Sequence, residues 1–363
     1  MYHGKAVRPT DSKLRDLLVT NILAVLAGLT VSGLLLLFLG ENPLTAMGTL
    51  FGSLFRDSYT FADIFVKATP LMFTALAFAF TFQANLFNIG AQGQFYIGAI
   101  TAVGCSLFLQ DKLPGALTLV LTGVLTILLG GLWGGMIGWL KAKFNANEFL
   151  VSMMSTYVAL ALMNYLLRTF LMETKGEYPQ TDPLDTAVWL QTIIPGTRLH
   201  TGFVLAVLTC IGIWLLLYKT PLGFRIRAVG QGKDAAAMAG INYKTLYIVA
   251  FFVSGALAAF GGFAEVNGVQ HMLVQGFNPD VGAAGIGIAI LANGNPIGII
   301  FASILFGALK VGGTIMGQLS GIPSSITELM LGSVMVFVIL AYFVREKMEE
   351  RREKAKLKKA VSA

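Results

Sequence analysis

The chain has 363 residues, 55% of them hydrophobic and only 12% charged, with a formal net charge of +7. Soluble globular proteins carry roughly 25% charged residues, so this composition excludes one and indicates an integral membrane protein with many spans. The apolar runs, such as "VSGLLLLFLG" and "GSVMVFVILAYFV", are continuous rather than alternating, which excludes a β-barrel and predicts an all-α polytopic fold.

In chain order, residues 1–16 are polar and basic, with Lys5, Arg8, Lys13 and Arg15. The apolar run behind them is too long for a cleavable leader and lacks an A-x-A site, so the first helix is expected to remain as a span. A bilayer core needs about 20 apolar residues per helix. Spans are predicted at 17–40, 64–82, 88–109, 116–140, 148–171, 201–218, 245–264, 282–293, 297–316 and 325–344. The eighth is short and glycine-rich and reads as either a full but broken span or a re-entrant piece.

Basic loops set the orientation. Besides the N-terminus, Lys141 and Lys143 mark 141–147; Lys219, Arg225, Arg227, Lys233 and Lys244 mark 219–244; and the tail from Arg345 is densely basic. Placing all four in the cytoplasm requires an even number of spans, which about ten satisfies. The 172–200 loop, with Glu173, Glu177, Asp182 and Asp185, then lies outside. No soluble domain interrupts the spans, so 1–363 reads as a single transmembrane domain with a cytoplasmic loop at 219–244 and a basic cytoplasmic tail at 345–363. The positive charge is explained by these loops, and no basic surface interleaved with aromatics suggests nucleic acid.

Several chemistries have no residues to carry them. Cys105 and Cys210 lie inside apolar runs as free thiols, and His3, His200 and His271 are too scattered for a metal site. The nearest string to a phosphate-binding loop, "GQGKD" at 230–234, has Arg227 where the first glycine belongs and Asp234 where Ser or Thr belongs. No catalytic residues and no cofactor are predicted. Few charges lie within spans, which weighs against an ion-coupled carrier, so energy for transport is expected from another chain.

The segment "KTPLGFRIRAVGQGKDAAAMAGINY" (219–243) therefore matters. Pro221 and Gly223 suggest a turn. Asp234 suits the first turn of a short helix at 233–239, built on Ala235, Ala236, Ala237 and Ala239 and ended by Gly240. Its small side chains would let it enter a groove on a partner; a solvated connector is the alternative.

This loop resembles the coupling-loop motif of bacterial ABC importer permeases of the branched-chain amino acid, monosaccharide and nucleoside superfamily. The matching residues are Thr220, Gly223, Arg227, Ala228, Val229, Gly230, Ala235, Ala236, Gly240 and Ile241. "NLFNIGAQGQFYIGA" (85–99) is similar to the F-N-I-G-x-E-G-Q segment of the nucleoside branch, with Gln92 in place of Glu. "LLGGLWGGMIGWLKAKFNANEFLVSMMSTYVAL" (128–160) and "GIGIAILANGNPIGI" (285–299) resemble further segments of it, with Ser155 and Thr156 where Met and Asn are usual.

The resemblance implies a permease subunit of an ATP-driven importer in the bacterial cytoplasmic membrane, both termini cytoplasmic, moving a nucleoside by alternating access. It implies three partners: an ABC ATPase that binds the ATP and docks on Arg227, Gly230, Asp234, Ala235, Ala236, Ala239 and Gly240; a second, homologous permease chain; and a substrate-binding lipoprotein or periplasmic protein. A monosaccharide permease is the nearest alternative. A stand-alone secondary carrier and a membrane enzyme are more distant ones.

In this setting the polar residues of 85–99 are candidates for the solute pathway. Phe87 and Tyr96 could stack on a base, and Asn88, Gln92 and Gln94 could offer amides to it. If the segment is helical, Asn88 and Gln92 share a face. Helix–helix hydrogen bonding is the competing role. Glu148, Ser152 and Ser155 on the fifth span, and Asn293 at a glycine- and proline-broken point, complete the candidates. For Glu148, capping a helix or pairing with Lys141 is the alternative role; for Lys310, it is snorkelling toward the interface.

Overall fold

A computed structural model describes residues 11–38, 40–320 and 324–361, so Lys5 and Arg8 lie outside the described residues. The helices are α1 (Asp11–Phe38), α2 (Pro43–Ser53), α3 (Ser58–Phe82), α4 (Ala91–Leu109), α5 (Gly115–Phe144), α6 (Glu148–Leu167), α7 (Gly202–Lys219), α8 (Pro221–Gln231), α9 (Lys233–Met238), α10 (Tyr243–Glu265), α11 (Val281–Leu291), α12 (Pro296–Ser320) and α13 (Ser324–Val361). A 3₁₀ turn occupies Thr186–Val188, and a π-turn, Val266–Gln270, continues α10. Each predicted stretch contains a helix. Among the described residues, seven helices are long and apolar enough to cross a membrane, while the apolar part of α1 (Ile22–Phe38) and α11 are shorter. α4 has 19 residues but carries Gln92 and Gln94 in its first turn.

Two sequence expectations need correction. The 88–109 span begins only at Ala91, so Asn88 lies in the preceding turn and shares no helical face with Gln92. Pro221 and Gly223 form no free turn: Pro221 is the first residue of α8, where its missing N–H costs nothing, and the Thr220 hydroxyl caps that helix by accepting from the Gly223 N–H at 3.2 Å.

Helix ends use polar side chains in the same way. Asp57 accepts from the Thr60 N–H at 2.7 Å, which holds its carboxyl below the ordinary carboxylate range. Asn147 caps α6, Asn242 caps α10 and Asn295 caps α12.

The chain divides into two compact units, residues 1–51 with 313–363, and residues 52–312. In the first, α1 crosses α13 where Gly28 meets Val334, and the Ser32 and Ser333 hydroxyls bond at 2.7 Å. The second unit holds the candidate site. Lipid gives no hydrophobic drive between helices, so close backbone approach must supply their attraction. Glycine provides it: a Cβ added at Gly130, Gly134 or Gly138 of α5 would overlap α10, and one at Gly98 of α4 or Gly262 of α10 would overlap the other's backbone. The glycine runs are therefore packing seams.

Residues 271–291 form a broken span of this unit. At about 1.5 Å per residue an 11-residue helix covers about 16 Å, half of a hydrocarbon core of about 30 Å. At its far end the Gly294 carbonyl accepts from Gln83 Nε2, and the Gln83 carbonyl lies against Gly230 of α8. At the near end, His271 and Leu273 bond to the 172–200 loop, at the opposite end of α7 and α10. The chain thus runs from one end of the helices to the other, non-helical over 271–280 and helical over 281–291.

The 172–200 loop caps that opposite end. Its Leu190 N–H reaches the Asn267 carbonyl, its Thr181 N–H the Leu273 carbonyl, and the Asn267 amide returns to the Val188 carbonyl. His200 lies beneath it against Gly268, its Nδ1 accepting from the Gly202 N–H and its buried Nε2 without a partner. His271 stacks on Trp189 at 3.6 Å, its buried Nδ1 likewise unpartnered. Burial, with His271 nearby, pushes the His200 pKa down to about 4, and burial, with Arg198 nearby, pushes His271 to about 4.

Two predictions follow from the packing and the cap. Gly134→Ala drives a methyl into the Phe251 carbonyl and should cost about 1–3 kcal/mol. Gly212→Ala, with nothing within 4 Å, should cost nothing or gain up to about 1 kcal/mol. Thermal unfolding of the detergent-solubilised protein separates them. The histidines set a pH dependence. Both folded-state values lie below 6.5, so the unfolded chain binds more protons between pH 6.5 and about 4, and stability falls as pH drops through that window. Unfolding temperature should decline from pH 6.5 downward, and His200→Gln should flatten the decline between pH 6.5 and 5, above the range where Glu173 and Asp182 titrate.

Candidate functional site

The turn before α4 carries Asn88 inward, where it is fully buried. Its Nδ2 donates to Gln94 Oε1 at 2.8 Å and to Ser254 Oγ at 2.7 Å, and the Ser254 hydroxyl donates onward to the Ala77 carbonyl at 2.6 Å. Its Oδ1 accepts from the Gly90 N–H at 3.0 Å, closing an Asx turn at the start of α4. Asn88 and Gln94 therefore tie α3, α4 and α10 together. Such amides are stable in an apolar interior because each finds partners, and removing one would leave another buried group unpaired.

Gln92 faces elsewhere. Its Nε2 donates to the Asn278 carbonyl at 2.9 Å, and its Oε1 accepts from the Gly282 N–H at the start of α11. The Tyr96 hydroxyl lies within reach of the same side chain. Asn278, at φ +35°, then donates through Nδ2 to Glu265 Oε1 at 2.7 Å, and Gln270 Nε2 donates to that oxygen at 3.5 Å. Gln92, Asn278, Glu265 and Gln270 thus form a polar relay from α4 across the broken span to the end of α10. Glu265 and Asn278 were not among the sequence candidates. The signal was present in "EVNGVQ" (265–270), which ends the apolar run after Ala264.

The other candidates scatter. Phe87, 41% exposed, packs edge-on to Phe78 and Phe82, whereas Tyr96 is buried beside Phe95, which stacks on Phe277. The two rings thus sit in separate aromatic clusters, and the structure does not bring them to one face. Glu148 pairs with Lys141 at 2.9 Å in the first turn of α6. Ser152 and Ser155 are buried: the Ser152 hydroxyl accepts from the Ile89 N–H at 3.3 Å, and Ser155 bonds the Ser152 carbonyl at 2.7 Å. Asn293, at φ +53°, and Gly294 make the tight turn between α11 and α12.

The 219–244 loop contains two helices. The Arg227 Nε donates to the Leu217 carbonyl at 3.1 Å, and its guanidinium lies 4.9 Å from the Tyr218 ring, fixing α8 to the end of α7. Gly230 lets α8 approach the Gln83 carbonyl. In α9, Asp234 occupies the first turn, Ala236 is buried, Ala235 and Ala237 are exposed, and Met238 is 86% exposed. Ala239 caps the helix and Gly240 follows at φ +80°. Three residues later α10 begins, and it runs unbroken to Glu265.

A family model described as the permease component of branched-chain amino acid transport systems matches residues 60–339. The glucose ABC transporter permease protein TsgB13 of Haloferax volcanii is 32% identical over 90% of this chain and 88% of its own length. The guanosine ABC transporter permease protein NupP of Bacillus subtilis is 31% identical over 93% of this chain and 97% of its own. The nucleoside ABC transporter permease protein NupB of Lactococcus lactis is 28% identical over 97% and 98%.

Proposed function

We propose a nucleoside as the solute of this chain, which belongs to the permease family of branched-chain amino acid transport systems and is a membrane-spanning subunit of an ABC transporter. Its similarity to guanosine and nucleoside permeases along nearly the whole of both chains carries the reading. The site is compatible with such a cargo. Gln92 and Tyr96 supply an amide and a phenol beside the start of a half-helix, whose Gly282 N–H donates to Gln92, and discontinuous helices hold polar solutes at such ends. We assign the solute pathway to that region. Asn88, Gln94, Ser152 and Ser155 support it from below, and Phe87, Glu148 and Asn293 flank it toward the 219–244 loop. The solute passes unmodified, with ATP hydrolysed by a separate subunit.

In this reading α8 and α9 are the docking element for the ATPase. The exposed face of α9 is what closing ATPases push, and α10, joined to it through Gly240, carries the displacement to Glu265 and the broken span. The 172–200 cap faces the substrate-binding protein on the outside of the bacterial cytoplasmic membrane. A second, homologous permease chain completes the pathway, and both termini are cytoplasmic. A monosaccharide is the second reading, favoured by the similarity to the glucose permease.

Uptake of labelled uridine in cells lacking this permease, with and without the gene, tests the choice. The proposal expects gene-dependent uptake that adenosine competes and glucose does not. Competition by glucose alone moves the assignment to the sugar reading.

A further inference from the structure

We propose that Glu265 contacts the solute directly and reads a pair of vicinal hydroxyls, such as the 2′- and 3′-hydroxyls of a ribose. The inference rests on the reading above that the cargo is a nucleoside or, failing that, a sugar; both present this chemistry.

Glu265 is only 3% exposed and lies where α10 gives way to the π-turn. A buried carboxylate is costly unless it is paired, and such a group beside a polar relay is a candidate for function. π-Turns within helices gather at functional sites. The neighbouring 271–280 stretch is non-helical, and backbone of that kind is tolerated between spans only where it is buried in protein or lines a cavity. Three independent features thus converge on one side chain.

The donors set against it indicate the ligand. Asn278 Nδ2 and Gln270 Nε2 both donate to Glu265 Oε1, and both are neutral amides. Neither belongs to a regular α-helix: Gln270 ends the π-turn, and Asn278 sits in the non-helical part of the broken span at a positive φ. A shift of the broken span relative to α10 withdraws Asn278 from the carboxylate. A vicinal diol brings two hydroxyl donors, one in place of Asn278 and one for the remaining acceptor capacity of the carboxylate, so the exchange leaves the buried group satisfied. Hydroxyl-to-carboxylate bonds are charge-assisted and stronger than those between neutral partners. The same charge repels a phosphate or carboxylate cargo. Gln92, which holds the other side of Asn278, is then placed to take up the polar edge of the solute as Asn278 leaves.

The test compares uptake of uridine and 2′,3′-dideoxyuridine by the complete importer carrying the wild-type chain, Glu265→Gln or Glu265→Asp. Selection by the binding protein is the same in all three and cancels in the comparison. The proposal expects the uridine-to-dideoxyuridine ratio to fall at least tenfold in Glu265→Gln and severalfold in Glu265→Asp, with dideoxyuridine uptake retained. Retention of that uptake shows that the variants fold. A parallel loss of both solutes, or an unchanged ratio, in variants present at wild-type level in the membrane overturns it and leaves Glu265 a structural group. If the wild-type importer carries glucose and no nucleoside, the nucleoside reading fails by itself. The ratio of glucose to its 2-deoxy and 4-deoxy analogues then decides the role of Glu265 by the same two outcomes.

Discussion

Hydrocarbon offers no hydrogen bonds, so every polar group taken into the membrane must find its partner inside the protein. The architecture of residues 52–312 follows from that constraint. Helices satisfy their own backbones and approach one another through glycine, because lipid gives them no other reason to associate. Where the chain departs from helix, side chains complete the bonding: Asn88 at the turn into α4, Gln92 at the start of α11 and Asn267 beneath the 172–200 loop. Each side chain that repairs the backbone also joins two or three helices. The polar residues are the joints of the bundle, and the apolar ones fill the space between joints.

That economy bears on transport. A solute with hydroxyls and amides must be offered hydrogen bonds in place of water, and groups locked into helix packing cannot offer them. Asn88 and Gln94 are locked, each bonded to elements fixed by close glycine contacts. Gln92, Asn278 and Glu265 are held across a segment with no helical hydrogen bonds of its own, so their partners can change when the segment moves. In the proposed reading, the contrast between locked and exchangeable amides separates the frame from the pathway. α10 belongs to both: it is stitched to α4 and α5 along its length, starts beside α9 and ends at the exchangeable relay.

The helical architecture was legible in the sequence because membrane spans are read from long apolar runs, and each of those runs holds a helix. The short helix at 233–239 was equally legible, from four alanines, an acidic first turn and a terminal glycine. The pairing of Glu148 with Lys141 followed from charge and proximity. What could not be read was partnership across the chain. Asn88 and Gln92 looked like neighbours on a helix, but an Asx turn at Gly90 sends them to different partners. Phe87 and Tyr96 were both candidates to stack on a base, and the fold places them in separate aromatic clusters. Glu265 was passed over because it stands at the margin of an apolar run, where a carboxylate normally faces water. Only the fold shows that the 172–200 and 271–280 segments cover that margin.

The central claim is that movement of the α8–α9 loop drives the solute step through α10, and Gly240 tests it most directly. Nothing lies within 4 Å of a Cβ added there, so a new side chain has room, and only the backbone angle of +80° objects. Gly240→Val strains that angle by roughly 1–2 kcal/mol and shifts α9 against α10, whereas Asn tolerates the left-handed region. The measurement is uptake by the assembled importer alongside its ATP hydrolysis. The account predicts that Gly240→Val inserts normally and still supports ATP hydrolysis while uptake falls at least tenfold, and that Gly240→Asn retains uptake. Uptake by Gly240→Val at the wild-type rate would contradict it.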